Sequence, residues 1–449
     1  MNALQNTDPQ VCAIIRNEQR RQQDKLTLIP SENFFSPAVR EAAGSVFMHK
    51  YAEGNIGQRY YEGCQYIDEL EALTIERASK VFRLPAEWSV NVQALSGSNA
   101  NLAAYLALLQ PQDTILSLYL PDGGHLSHGW SYNPQHYVDP SSPVNVGGKR
   151  KVHIVSKLFV TVHYKTNPQS QRIDYGALEK IALEYRPKLI ITGGTAYPRT
   201  IDHRRIKRIA ERVSAFYLAD IAHEAGLVAA GVLPSPVTSA DIVTLTSHKT
   251  LRAGRCALIL AHRDLISKIN KAIMPGLQGG PHYHNIAALC VGLGEAGTPQ
   301  FKRYARQIII NAKVLARELT KLRFRLVTGG TDKHLMLINL TREPILGKKF
   351  ARALDWAGIV ANFNTMPQET RPPADPSALR LGTPWATTRG LKAREMKLVA
   401  AWLREVMDLC APWGQLSFDE FEEHVQQAAG IKRIAREVRS LCRQYPLRF

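Results

Sequence analysis

From about residue 91 the chain alternates short runs of apolar, β-branched residues with longer stretches whose apolar positions recur every three or four residues. SVNVQAL, DTILSLYL, PKLIITGG, AFYLADIA, DIVTLTS and ALILAH read as strands. Between them, YGALEKIALEY and DHRRIKRIAERV carry one apolar face at helical spacing. This alternation predicts an α/β fold, a mostly parallel sheet covered by helices on both faces, over roughly residues 51–281. A long helical segment follows from His284 to Lys321, and then FRLVTGG, HLMLINL and GIVANF predict a second, smaller α/β layer. The tail, DEFEEHVQQAAGIKRIAREVRSLCRQYPL, reads as helix with one glycine interruption. Asp8-Pro9 is a helix start, an N-cap with proline in the first turn, and it opens VCAIIRNEQRRQQ as an arm able to pack on a partner.

At 449 residues the chain is too long for one simple core. The expected division is an N-terminal helical arm over 1–50, a large domain over 51–283, and a connecting helix with a small C-terminal α/β domain over 284–449. MNALQNTDPQ has no basic region followed by an apolar run, and no apolar stretch is long enough to span a bilayer, so the expected compartment is the cytoplasm and no membrane partner is expected. Six scattered cysteines without a C-x-x-C pair fit buried free thiols in a reducing compartment. The surplus of 57 Lys and Arg over 39 Asp and Glu, a formal +18, raises nucleic-acid binding as a class. The basic residues are dispersed, however, and no nucleic-acid module signature accompanies them; a surface that attracts anionic small molecules is equally consistent with the charge, and nucleic-acid binding is not expected.

Three predicted strand ends carry chemistry. AFYLADIAH ends with Asp220 and His223, and TLTSHK ends with His248 and Lys249. QALSGSNAN places Ser96, Gly97 and Ser98 at the opening of a helix, whose free N–H groups and positive dipole end suit a phosphate. Alone, Lys249 is a surface lysine at a strand end and Asp220 a turn cap. Together, a carboxylate, a lysine and a phosphate cradle on the ends of neighbouring strands match what holds pyridoxal phosphate. In that arrangement Lys249 forms the Schiff base and Asp220 pairs with the pyridine nitrogen. His125 and His128 of GGHLSHG have the spacing of metal ligands, but no further Asp, Glu or Cys cluster completes a set, so no metal is expected.

LIPSEN, HKYAEG, RYYEGC, SGSNAN, GGHLSHG, DIAHEAGLVAAG, TSHKTLR, PGLQGGP, GGTDKHL and RLGTPWATTRG stand in the order found in serine hydroxymethyltransferases, and the chain resembles that family over nearly its whole length. The resemblance implies a fold-type I pyridoxal-phosphate enzyme, a homodimer or dimer of dimers, that interconverts serine and glycine and passes the one-carbon unit to tetrahydrofolate. By the same resemblance Lys249 is the Schiff-base lysine, Asp220 the pyridinium partner, His125 the ring-stacking residue, and His223 lies near the phenolic oxygen with Thr195 close by. Ser96, Gly97, Ser98, Thr246 and His248 match phosphate-holding positions, with Gly280 reaching in from the other subunit. Ser31 and Arg380 match the grip on the substrate carboxylate, where a guanidinium can give a bidentate, orienting contact. Glu53 matches the proton-transfer carboxylate, Tyr51 and Tyr61 match tyrosines lent across the dimer, and Leu120, Gly124, His125, Leu126 and Asn364 match pterin contacts.

The chain departs from the family pattern in three places. Lys249 is followed by TLRAGRCA, which puts Ala253, Cys256 and Ala257 where glycines are usual. PQETRPPADPSA follows Asn364 and alters part of the folate-contacting loop. WSYNPQHYVDPSS, between Gly129 and Ser142, is an insertion beside His125, either a tolerated surface insertion or a lid or interface loop. The altered folate loop is the one feature favouring a folate-independent threonine aldolase or transaldolase as the alternative.

Overall fold

The computed structural model describes residues 2–132, 144–146 and 148–449. Among them the large sheet has eight strands: β1 (Trp88–Asn91), β2 (Thr114–Leu118), β3 (Val144–Val146), β4 (Val160–Tyr164), β5 (Leu189–Thr192), β6 (Phe216–Asp220), β7 (Ile242–Thr246) and β8 (Ala257–His262). Their spatial order is β1-β8-β7-β6-β5-β2-β4-β3. The five strands from β7 to β4 run parallel, while β8 is antiparallel to both its neighbours and β3 is antiparallel to β4. The fold is α/β with a mixed, mostly parallel sheet, as the alternation predicts.

Both faces of this sheet are dry, because successive residues of one strand enter two different cores. Ile190, Tyr217, Val243 and Leu258 face one core, completed by helices that include Gln65–Phe82 and Tyr283–Ala296. Leu189, Leu218, Ile242 and Ile259 face the other, closed by the helices Gly97–Leu108 and Arg263–Lys271. Alternation with a period of two, apolar on both sides, is what a sheet sandwiched by helices requires. Strand β4 is absent from the predicted set because Thr161 and His163 break its apolar run, yet both are buried.

The second sheet is antiparallel and comprises β9 (Arg325–Leu326), β10 (Leu335–Asn339), β11 (Asn362–Asn364) and β12 (Ala378–Gly382), in the order β9-β10-β12-β11. The single helix expected from His284 to Lys321 is two helices, Tyr283–Ala296 and Pro299–Lys321, divided at Gly297. Thr298 caps the second, its hydroxyl accepting from Phe301 N at 3.2 Å. Phe301, Ala305 and Ile308 lie in the large-sheet core, and Ala312, Leu315 and Leu319 in the small-sheet core. One helix thereby joins the two layers.

Two further expectations change. The C-terminal helix breaks at Ala428, whose ψ of 117° is non-helical, and Gly430 lies inside the next helix, Ala429–Gln444. A Cβ at Gly430 would come within 2.7 Å of Leu409 Cδ1, so the glycine lets that side chain pack close against the helix. The helix Pro9–Asp24, capped by Asp8, packs on Ala429–Gln444 of its own chain, and Leu26 and Leu28 enter the small-sheet core. Most of the insertion expected as a lid or extension, residues 133–142, lies outside the described residues.

Candidate active site

The carboxyl ends of β5, β6 and β7 open onto one cavity of about 200 Å³, at the edge where ligands bind in open α/β sheets. Ser96, Gly97, Ser98, His125, Gly194, Thr195, Asp220, Ala222, His223, Thr246, His248 and Lys249 line it. Ten residues that the resemblance assigns to the cofactor in this chain therefore meet in one place, and Gly280 stands apart.

At the end of β6, Asp220 accepts hydrogen bonds from His128 Nε2 at 3.0 Å, Asn101 Nδ2 at 2.9 Å and Ala222 N at 2.9 Å. Burial alone would raise its pKa, but His128, His125 and Asn101 override that and hold the carboxyl well below the usual range. Asp220 is therefore a fixed anion aimed into the cavity. One ring nitrogen each of His125 and His128 and a carboxylate oxygen of Asp220 lie within 4.8 Å of one another, the donor set that the sequence left incomplete. Each already has a partner: His125 Nδ1 meets Ser127 Oγ at 2.7 Å, and His128 spends Nε2 on the carboxylate.

Beyond β7 the chain folds back on itself. Ser247 O accepts from Ala253 N at 2.9 Å, and Ser247 Oγ donates to the carbonyls of Gly254 and Cys256. This turn, with Arg252 at φ 61°, leaves Lys249 projecting from a strand end that the chain has already left. Lys249 is 9% exposed, and burial pushes its amine down to about 8, with Asp220 opposing and Arg380 assisting that shift. The residues replacing glycine fill packed space. Cys256 is buried, its thiol pushed up to about 12 by burial, and Ala253 rests where a side chain on Gly292 of the adjoining helix would collide with it.

The opposite end of the cavity suits a phosphate. Ser96 caps the helix Gly97–Leu108 by accepting from Asn99 N at 3.3 Å. A Cβ on Gly97 would stand 2.7 Å from Thr246 Cγ2 and fill the cradle. Nearby, His248 Nδ1 is buried without a hydrogen-bond partner among the described residues. His248 is pushed down to about 3, by burial first and then by Lys249 and Arg255. His125 is likewise pushed down to about 4, by burial first and then by His128, and so presents a neutral ring.

Arg380 reaches the site from β12, a strand absent from the predicted set. Its Nη1 donates to Thr195 O at 2.6 Å and Thr195 Oγ1 at 2.7 Å, and its Nε to Asn362 Oδ1 at 3.2 Å. Burial lowers it to about 10, and among the described residues Nη2 makes no hydrogen bond. Thr195 Oγ1 also lies 3.5 Å from His223 Nε2. Ser31 sits in a segment held at both ends: Leu28 O accepts from Gly382 N at 2.7 Å, and Asn33 Nδ2 donates to Lys249 O at 2.8 Å.

Other assigned residues gather elsewhere. Tyr61 OH donates to Glu53 Oε2 at 3.4 Å, Tyr51 meets Tyr61 edge-on at 5.3 Å, and Gly280 lies against Glu53 and Tyr51. None of these four lines the cavity, and Tyr51 is 57% exposed. Leu120, Gly124 and Leu126 flank His125 in one segment, where a side chain on Gly124 would collide with Leu118 O. Asn364, on β11, donates to Thr365 O at 2.6 Å and is not among the lining residues. The altered loop after it closes around Glu369, whose buried carboxylate accepts from Thr370 N, Arg371 N, Ser377 N and Ser377 Oγ.

Sequence reasoning gave no site role to Asn101, His128 or His334. Asn101 was open to discovery: it stands four residues after Gly97, one helical turn further along the same face. His334, 3.2 Å from His223, falls in GGTDKHL, a stretch that the resemblance includes without a role for the histidine.

A buried anion, a depressed lysine and a glycine-lined helix start on adjoining strand ends define the pyridoxal-phosphate class of α/β enzyme. The family model described as serine hydroxymethyltransferase matches residues 4–403. The chain is 48% identical over 446 residues to a serine hydroxymethyltransferase of Sorangium cellulosum (strain So ce56), covering 99% of this chain and 96% of that one. It is 47% identical over 444 residues to that of Acidothermus cellulolyticus (strain ATCC 43068 / DSM 8971 / 11B), with the same coverage. The chain belongs to the serine hydroxymethyltransferase family.

Proposed function

We propose that this chain converts serine and tetrahydrofolate to glycine and 5,10-methylenetetrahydrofolate, with pyridoxal phosphate carried on Lys249. The observation that carries the reading is the convergence of Lys249, Asp220, His223, His125 and the Ser96–Ser98 turn on one cavity. Relatives named serine hydroxymethyltransferase and matched over 96% of their length support this over a folate-independent threonine aldolase or transaldolase.

Bound pyridoxal phosphate supplies an electron sink for the pair left on Cα when the serine Cα–Cβ bond breaks. Asp220, held anionic, keeps a proton on the pyridine nitrogen and so strengthens that sink. His125 offers an uncharged ring face, and Ser96, Gly97, Ser98, Thr246 and His248 hold the phosphate. His223, driven well below its ordinary pKa by burial and by Lys249, offers Thr195 and the phenolic oxygen a neutral partner. Arg380 and Ser31 grip the substrate carboxylate, and the orientation so imposed selects which Cα bond is weakened.

Glu53 then moves the proton of the serine hydroxyl, with Tyr61 as its hydrogen-bond partner. Because the Tyr51–Glu53–Tyr61–Gly280 cluster lies outside the cavity of its own chain, a second copy delivers it, and we take the protein to be a homodimer or a dimer of dimers. Tyr60, whose N–H donates to Glu53 O at 3.1 Å, is exposed beside that cluster and extends the face for such contact. In this reading residues 51–283 hold the cofactor, residues 284–449 bring Arg380 and Asn364 to it, and residues 1–50 form the arm. Leu120, Gly124, Leu126 and Asn364 contact the pterin. No described helix is long and apolar enough to cross a membrane, and all six cysteines are free and buried, which supports a cytoplasmic enzyme.

The test of Lys249 is spectroscopic. Purified protein should be yellow and bleach with borohydride, and Lys249→Ala should lose the bleachable colour. Unchanged bleaching in that variant would remove Lys249 from its role.

A further inference from the structure

Behind the cavity, two residues without a part in the chemistry above form a buried ion pair, Lys333 Nζ with Glu224 Oε1. The Lys333 side chain is 1% exposed and that of Glu224 11%. Their sequence neighbours make a second contact: His223 Nδ1 lies 3.2 Å from His334 Nε2, with the rings stacked at 5.5 Å. Residues 223–224, following β6, are thus joined to residues 333–334, preceding β10, by two adjacent side-chain contacts.

The segment bearing Lys333 is held from its other sides as well. Thr331 Oγ1 donates to Pro198 O at 3.1 Å, Arg199 pairs with Asp332 at 2.7 Å, and Thr383 N donates to His334 O at 3.1 Å. Pro198 is three residues past Thr195, and Thr383 three past Arg380, the two residues that bond each other at the cavity. The segment therefore stands between the two sheets where Arg380 is delivered.

A buried ion pair returns little stability, since desolvating two charges offsets most of their attraction, and an apolar pair of similar volume often holds a fold as well. What charge adds is a defined distance and direction. Glu224 Oε2 is moreover buried without a partner among the described residues, beside a cavity of about 20 Å³ lined by Asp220, His203, Glu224 and Lys333. That is room for one water.

We propose that Glu224 and Lys333 are positioning residues for the substrate carboxylate: their ion pair locks residues 333–334 to residues 223–224 and so sets where Thr195 and Arg380 stand relative to Lys249. The proposal rests on the hydroxymethyltransferase reading of the site. Its test uses the holoenzyme, with glycine affinity read from the glycine-induced change in cofactor absorbance and KM and kcat measured for serine. The apolar pair Glu224→Leu/Lys333→Met should fold and keep full cofactor, yet bind glycine about tenfold more weakly and raise KM for serine to match, because small displacements of a clamp cost at least that much. Lys333→Arg keeps the charge but changes its reach, and should weaken glycine binding in the same direction by a smaller factor. Wild-type glycine affinity in whichever variant carries full cofactor would overturn the proposal and leave the pair a purely structural contact. Absence of serine turnover in the wild-type protein would fall instead on the functional reading, since glycine affinity is read without turnover.

Discussion

At the scale of single residues the site works by contrast between two buried groups. Asp220 is surrounded by donors and stays charged, while Lys249 is lowered to about 8 by burial and by Arg380, against the pull of Asp220. A lysine in water near pH 7 holds its proton almost completely, whereas at a pKa of about 8 roughly a tenth of the amine is neutral and able to attack an aldehyde. Deprotonation rises with pH, so reloading of the apoprotein with pyridoxal phosphate should accelerate between pH 7 and 9, with a midpoint near 8. Stopped-flow absorbance would record it. A rate that keeps climbing past pH 10, as for a solvated lysine, would contradict the burial argument. Lys249, Asp220 and the Ser96–Ser98 turn were legible at this scale because strand-end position and residue type together specify their chemistry. The pairing of His128 and Asn101 with Asp220 was not, since it joins residues from three separate segments.

At the scale of elements, the parallel sheet was readable because both faces of each central strand are apolar. Strand β12 was missed: ALRLG is short and carries Arg380 in its middle, and only its burial between β10 and β11 identifies it. Arg380 consequently reached the site through resemblance to a family and not through local pattern. The helix division at Gly297 escaped notice because apolar periodicity continues on both sides of the break. One element contact also explains a departure from the family pattern. Ala253, in the turn after Lys249, packs against Gly292, so the alanine is accommodated by a glycine on the facing helix. Gly292→Ala should therefore destabilise by about 1–3 kcal/mol through overpacking. Ala253→Gly in the same chain should recover part of that loss in denaturant unfolding, because the two sites are in contact and their effects do not add. Strict additivity would show that the two residues do not meet.

At the scale of the whole molecule, the residues proposed for the chemistry fall into two separate groups within one chain. Lys249 lines the cavity and Arg380 bonds the lining residue Thr195, while Glu53 and Tyr61 sit on a separate, partly exposed cluster. A closed two-fold assembly would bring the cluster of each copy to the cavity of the other. Lys249→Ala and Glu53→Gln should each be inactive alone. Mixed and reassembled in equal amounts, half the dimers carry one intact site, so activity should return to about a quarter of wild type. No recovery after verified exchange would place both residues in one chain's site. The formal charge of +18 belongs to this scale too, and a basic surface favours the approach of anionic small molecules such as a folate.

The central claim, transfer of a one-carbon unit from serine to folate on Lys249-bound cofactor, is tested most directly by glycine formation from serine with and without tetrahydrofolate. Strong dependence on tetrahydrofolate, abolished by Lys249→Ala, is the predicted result. Glycine formation indifferent to tetrahydrofolate, with threonine preferred over serine, would contradict it and make the enzyme an aldolase on the same scaffold.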